Sequence, residues 1–327
     1  MGQSQLWQVY LVLALATDGL ALALAGTLWL HGAAWYWVAL PPVADALLRT
    51  LFVAHGFRTA WRLRPRALAA AYPHGALQAL RTIARETLAL WRMFSLLMPL
   101  PFGSRRDRGW GVPILFVHGF ICNAGVWRPL MRALARRTGA PLRAISLYPA
   151  FGNINEYAEQ LHAAVEAFRQ QTRIARIMLV GHSMGGLVIR RYLRAYGADR
   201  VCRVVTLGSP HHGVFVPASL ARLGENLRQM KHGSPWLAAL NADEDQPCPV
   251  PILSVWSPHD NLIPPQDGAR LRYPNARERI LPGEGHDTLL FSPVVADLLV
   301  QEWNSSPAEP LTPTSASEER IVCFDFD

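Results

Sequence analysis

Ser183 lies in Gly181-His182-Ser183-Met184-Gly185, a G-x-S-x-G pattern, and Asp260 and His286 follow it in that order. A serine hydroxyl is a weak nucleophile at neutral pH. It requires a general base, and an imidazole base requires a third group to fix its tautomer. In this set His286 takes the proton from Ser183 and returns it to a leaving group, while Asp260 orients the ring and stabilises the imidazolium. The resulting chemistry is acyl transfer through a covalent intermediate, whose oxyanion needs hydrogen-bond donors. The backbone N–H groups of Phe120 and Met184 are the candidates, each worth about 3–4 kcal/mol of transition-state stabilisation. His118, Gly119 and His182 are the candidate substrate-binding positions around them. Asp267 is the main rival to Asp260. His182 and His259 fall on the wrong side of their turns to replace His286, and Asp287 reads as a local hydrogen-bonding group.

The elements that must position these residues are legible as periodicity. The apolar run Ile177 to Val180 reads as a buried strand, and the spacing of Leu187, Val188 and Tyr192 reads as a helix starting at Met184. Between them a sharp strand-to-helix turn lifts the serine out of the fold in strained geometry, with no room for a Cβ at 181 or 185. The helix start also directs N–H groups at the reacting atom. From Gly111 onward strands and helices alternate: strand to His118-Gly119, helix 126–138, strand 142–147, helix 155–171, the strand before Ser183, the helix after it, and strand 201–207. This is the pattern of an α/β fold with a mainly parallel sheet flanked by helices, whose ligands bind at the carboxyl ends of the strands. A strand at 252–256 precedes Asp260, one near 279–281 precedes His286, and helix 294–303 closes the domain. Residues 214–250 depart from the alternation, with amphipathic segments at 220–230 and 236–240. They read as a lid or cap over the strand ends, or as cover for the core. His211-His212 lack further ligands at useful spacing and read as turn and pocket wall, so no metal site is expected.

The first third of the chain differs in character. Residues 6–30 are almost uninterrupted Leu, Ala, Val and Trp, long enough to cross about 30 Å of hydrocarbon. Asp18 opposes insertion by about 2.5–3.5 kcal/mol, which the apolar residues outweigh. A cleaved signal peptide ending near Ala23-Leu24-Ala25-Gly26 is the competing reading, opposed by the absence of Lys or Arg in the first ten residues. A second apolar stretch, 33–56, is interrupted by Pro41-Pro42 and carries Asp45 and Arg49 at i, i+4, where they neutralise each other on a helix. It completes a helical hairpin or lies in the interface. Arg58, Arg62, Arg64, Arg66, Arg81, Arg85 and Arg92 follow, the last three on a helix from Gly75 to Met98. The positive-inside rule keeps this flank, and the domain after it, in the cytoplasm.

The expected organisation is a membrane-anchoring segment of one or two helices over 1–57 and an Arg-rich juxtamembrane segment and linker over 58–110. The catalytic domain covers 111–304, with 214–250 as the insertion, and an unstructured tail covers 305–327. The net charge of +8 comes almost wholly from arginine, Lys231 being the only lysine, and there is no nucleic-acid motif. With half the chain hydrophobic and 17% charged, disorder is excluded. Four scattered cysteines, Cys122, Cys202, Cys248 and Cys323, read as free thiols.

The motifs V-H-G-F, V-G-H-S-M-G-G, L-G-S-P-H-H-G, S-P-H-D-N-L-I-P and G-E-G-H-D-T-L-L make residues 111–304 resemble a bacterial lipase or esterase of the α/β-hydrolase superfamily. H-G-F with G-S-P-H-H-G is similar to triacylglycerol lipases, and the order Ser, Asp, His is that of the superfamily. The resemblance implies the α/β-hydrolase fold and hydrolysis of acyl-glycerol-like carboxylic esters without a cofactor. It does not cover the first 110 residues. Together with the apolar segment it leads to the expectation of a lipase or esterase held at the bacterial inner membrane, acting on lipid or acyl-ester substrates. A thioesterase or acyltransferase would use the same triad. A catalytically silent membrane-attached scaffold would have no need to keep it.

Overall fold

The computed structural model describes residues 18–100, 105–106 and 109–311. Helix α1 (Leu20–Leu30) turns at His31-Gly32, with Gly32 at φ +72°, into the 29-residue α2 (Trp35–Leu63), and the two helices pack together as a hairpin. At about 1.5 Å per residue α2 is roughly 44 Å long, and it is the one described helix both long and apolar enough to cross a membrane. Leu30, Trp35, Tyr36, Trp37, Leu47, Leu48 and Phe52 are exposed rather than folded into a core. The part of the first apolar stretch before residue 18 lies outside the described residues.

Pro41 and Pro42, expected to interrupt the second stretch, lie inside α2 instead. They sit in its second turn, and packing against α1 carries the helix past the two hydrogen bonds their missing N–H groups forgo. Asp18, Asp45 and Arg49 satisfy one another. Arg49 donates through Nε to Asp45 at 2.9 Å and through its second terminal nitrogen to Asp18 at 2.8 Å. Another bond reaches Ser95 Oγ at 3.1 Å. After α3 (Arg66–Ala71), helix α4 (Ala76–Trp91) continues as a π-helical turn to Leu97. Thr82, Glu86, Ala89 and Met93 form its buried stripe, at helical spacing.

The core is a seven-stranded sheet of β1 (Arg105–Arg106), β2 (Ile114–Val117), β3 (Leu142–Ile145), β4 (Ile177–His182), β5 (Val201–Leu207), β6 (Ile252–Trp256) and β7 (Arg277–Ile280). Their order is β1-β3-β2-β4-β5-β6-β7, and every neighbouring pair is parallel except β1 with β3. Strand β1 falls in the segment expected to be only a linker; it adds an antiparallel edge through backbone pairing with Leu142 and Arg143. Strands β2 to β6 are buried along nearly their whole length because helices cover both faces, which is why they read as mainly apolar runs.

Those helices include α5 (Arg128–Ala135), α6 (Ile154–Thr172), α7 (Met184–Tyr196) and, at the far end of the chain, α11 (Pro293–Asn304). Residues 214–250 form three short helices, α8 (Ala218–Ala221), α9 (Glu225–Met230) and α10 (Pro235–Leu240). Within this segment Leu227, Met230, Leu237 and Leu240 are buried, while Phe215, Leu220 and Leu223 are exposed. The tail expected to be unstructured from 305 is ordered as far as 311. Ala175 donates to the Glu309 carbonyl at 2.7 Å, Leu311 donates to Arg173, and Arg176 pairs with the Glu309 carboxylate.

Candidate active site

The chain leaves β2 for β3 on one side and returns to β4 on the other, so the carboxyl ends of β2 and β4 flank the point where strand order reverses. Ligands in such sheets bind there. The pairing of Val117 with Gly181 sets His118-Gly119 beside His182-Ser183. Ser183 ends β4 at φ +53°, ψ −126°, a conformation costly for any residue with a side chain. The turn closes because its neighbours are glycines. A Cβ on Gly181 would come within 2.7 Å of the Gly185 and Gly186 backbone, and one on Gly185 would strike the Val117 carbonyl oxygen. Across from it, a Cβ on Gly119 would stand 2.8 Å from the Ser183 Cβ. The Ser183 N–H donates to the Leu207 carbonyl at 2.8 Å, tying the turn to β5. Among the described residues, no protein acceptor takes the N–H of Phe120 or Met184.

The loops after β6 and β7 bring Asp260 and His286 together. His286 Nδ1 lies 2.8 Å from Asp260 Oδ2, and both side chains are almost fully buried. The other carboxylate oxygen of Asp260 accepts the N–H groups of Leu262 at 2.8 Å and Ile263 at 3.0 Å. With both oxygens engaged as acceptors, the carboxylate is fixed, Nδ1 carries the proton, and Nε2 is the basic nitrogen. Burial disfavours the imidazolium. The Asp260 charge and hydrogen bond, helped by Asp287 and Glu86, overcome that and raise the His286 pKa to about 9.

Of the three positions expected to bind substrate, Gly119 lies against Ser183 and the two histidines turn inward. His118 is buried; its Nδ1 meets the Gly119 carbonyl at 2.7 Å and its Nε2 accepts from the Leu147 N–H at 2.9 Å. Burial lowers its pKa to about 4, so it is a neutral brace of the turn. His182 lies behind the site, with Nε2 3.2 Å from the His286 carbonyl and its ring centroid 4.6 Å from that of His286. Burial, then the adjacent His286 charge, lowers its pKa well below the usual value. His182, His286 and Asp287 offer ligand-type atoms within 4.8 Å of one another. His286 meets Asp260 through Nδ1, and His182 meets the His286 carbonyl through Nε2.

Asp267, the rival acid, sits in the 3-10 turn Gln266–Ala269, while Asp260 holds the bond to His286. His211 meets Thr206 at 3.0 Å, and His212 lies beside Glu244, in keeping with the wall of a turn. Cys122, Cys202 and Cys248 are buried free thiols. Two supporting residues were missed in the sequence. Asn261 Oδ1 accepts the His286 N–H at 3.1 Å, and its place directly after Asp260 was the available signal. Glu86 accepts the N–H groups of Asp287 and Thr288 from a helix two hundred residues away in sequence.

Residues 112–247 match the family model described as alpha/beta hydrolase fold. The chain is 27% identical over 180 residues to a GPI inositol-deacylase of Candida albicans, a match covering 47% of this chain and 40% of that protein. It is 31% identical over 109 residues to a triacylglycerol lipase of Pseudarthrobacter phenanthrenivorans, covering 31% and 34% respectively. These curated relatives are thus matched over less than half of their own length. Among solved structures, Aspergillus fumigatus lipase B aligns with a TM-score of 0.53 at 16% identity, over 62% of this chain and 54% of that one. With the sheet order and helical layers above, residues 112–247 carry the alpha/beta hydrolase fold, and the chain is similar to lipases.

Proposed function

We propose that the protein is a membrane-anchored serine hydrolase that cleaves carboxylic esters of lipid-like substrates through an acyl-enzyme. The observations that carry this reading are the buried Asp260–His286 pair at 2.8 Å and the strained backbone of Ser183 at the switch point of the same sheet. In the first half-reaction His286 Nε2 takes the Ser183 Oγ proton as Oγ attacks the ester carbonyl carbon. The carbonyl oxygen becomes an oxyanion facing the N–H groups of Phe120 and Met184. The imidazolium, held by Asp260, then protonates the departing alcohol as its bond to carbon breaks. In the second half-reaction water repeats the sequence on the acyl-enzyme, releasing the acid and restoring Ser183.

Exposed Phe151, Phe215, Leu220, Leu223 and Leu262, on the segments around the strand ends, support an acyl-bearing substrate. The hairpin of α1 and α2 supports membrane attachment, since its apolar residues face outward and Arg49 is paired with Asp18 and Asp45. The arginines after it support a catalytic region on the cytoplasmic side; a reporter fused to the C-terminus and active only outside the cytoplasm would reverse that orientation. The test of the activity is turnover of p-nitrophenyl esters from acetyl to palmitoyl by the detergent-solubilised full chain beside Ser183→Ala. Turnover by the wild type, lost by several orders of magnitude in the variant, supports the proposal. Equal inertness across the series refutes ester hydrolysis.

A further inference from the structure

Glu86 is the only acidic residue between Asp45 and Asp107. It lies on α4, outside the region matched by the family model, and is 1% exposed. Its Oε1 accepts the Asp287 N–H at 2.8 Å and its Oε2 the Thr288 N–H at 3.0 Å, the two residues directly after His286. On the other side of His286, Gly285 has no space for a Cβ because the Glu86 carboxylate lies against it. One carboxylate therefore grips the backbone on both sides of the proposed base. The rest of α4 also meets this loop: the Thr82 hydroxyl, whose shorter bond is to the Gln78 carbonyl at 2.9 Å, lies 3.3 Å from the Gly283 carbonyl, and Arg85 pairs with Glu284 at 2.8 Å. Past the end of the helix, the Arg92 guanidinium sits 4.7 Å from the centroid of the Phe291 ring.

The acid loop is held from the same side. Gln266 reaches the Ala60 carbonyl of α2 at 3.2 Å, and the Gly56 backbone approaches Asn261, which in turn binds the His286 N–H. His259, adjacent to Asp260, stacks on His74 at 4.0 Å and meets the Tyr72 carbonyl at 3.2 Å.

We infer that Glu86 is a positioning residue for His286, and that α4 is through it a working part of the catalytic site, linking the apolar hairpin to the general base. The inference rests on the serine-hydrolase reading above. Burying a carboxylate against backbone N–H groups alone is an expensive way to hold a loop. Burial, with the Asp287 charge adding to it, raises the Glu86 pKa, so the group carries a stability cost. Its return is the fixed imidazole, since displacement of a catalytic group by about 1 Å can cost on the order of 100-fold in rate.

The experiment uses the full chain in detergent and compares wild type with Ser183→Ala, Glu86→Gln, Glu86→Ala and Arg81→Ala. Arg81 lies exposed on the same helix and serves as the control. Two quantities are read: the rate of Ser183 phosphonylation by a fluorophosphonate, and kcat and KM for p-nitrophenyl butyrate. Each is expressed per site labelled after exhaustive reaction, so unfolded protein does not count. The near-isosteric Glu86→Gln keeps one of the two acceptors and should lower both rates about 10-fold, Glu86→Ala about 100-fold, with KM within about two-fold and Arg81→Ala unchanged. If both Glu86 variants keep the wild-type rate per labelled site and lose only thermal stability, Glu86 is merely structural and the inference falls. A wild type no more reactive than Ser183→Ala would instead overturn the serine-hydrolase reading, and this inference with it.

Discussion

Replacing Asp260 by Asn probes the electrostatics of the site without changing its shape. The Asp260 oxygen held by Leu262 and Ile263 would stay the acceptor, since both partners are N–H donors. The new amide nitrogen would then face His286 Nδ1 across the 2.8 Å bond. Two donors cannot share that bond, so the ring must move its proton to Nε2, which removes the lone pair needed to accept from Ser183. The imidazolium also loses its counter-charge. Raising the His286 pKa from 6.5 to about 9 corresponds to about 3 kcal/mol, most of it traced to Asp260, or a few hundred-fold in rate. Adding the tautomer inversion brings the expected loss in kcat to about 10⁴-fold, the size seen when this substitution is made in a Ser-His-Asp triad. The assay is p-nitrophenyl ester turnover at pH 7.5, with circular dichroism confirming the fold. A folded Asp260→Asn protein within ten-fold of wild type would refute the assigned role.

Gly119→Ala places a methyl 2.8 Å from the Ser183 Cβ and next to the Phe120 N–H, so the turn must shift: kcat should fall by about 100-fold or more, and the melting temperature should fall with it. As His286 must be neutral to act as base, kcat/KM should keep rising from pH 7 toward about 9 and not level off near 7; a plateau by pH 7 would contradict the raised pKa. The same shift has a stability sign. A histidine raised in the folded state contributes stability that is full below about 6.5 and lost as pH rises through about 9, so melting temperature should decline across that window. Arg49→Met leaves Asp18 and Asp45 without their shared cation in the apolar hairpin and should destabilise the detergent-solubilised protein by about 3 kcal/mol; an unchanged melting temperature would mean the network is dispensable.

The parts of the site legible in the sequence are those fixed by local sterics. The glycines around Ser183 announce their turn because no other residue fits, and the strands announce themselves because both faces are covered. Asp260 and His286 were readable from their places after successive strands, although only the fold brings their side chains to hydrogen-bond distance. Glu86 was not readable in the same way, because its partners are backbone N–H groups two hundred residues away and periodicity carries no record of them. Its faint signal was a lone carboxylate among arginines, on the stripe shared with Thr82, Ala89 and Met93. The two prolines of α2 misled for the opposite reason: local propensity is a weak prior that tertiary packing overrides. His118 looked like a substrate contact from its place in the motif, but its ring nitrogens serve Gly119 and Leu147.

The most direct test of the central claim is to locate the nucleophile. The solubilised full chain is treated with a fluorophosphonate, digested, and the adduct mapped by mass spectrometry. Ser183 as the sole modified residue, with labelling abolished in His286→Ala, is the predicted result. Modification of another residue, or labelling of Ser183 that proceeds equally well without His286, would contradict the account.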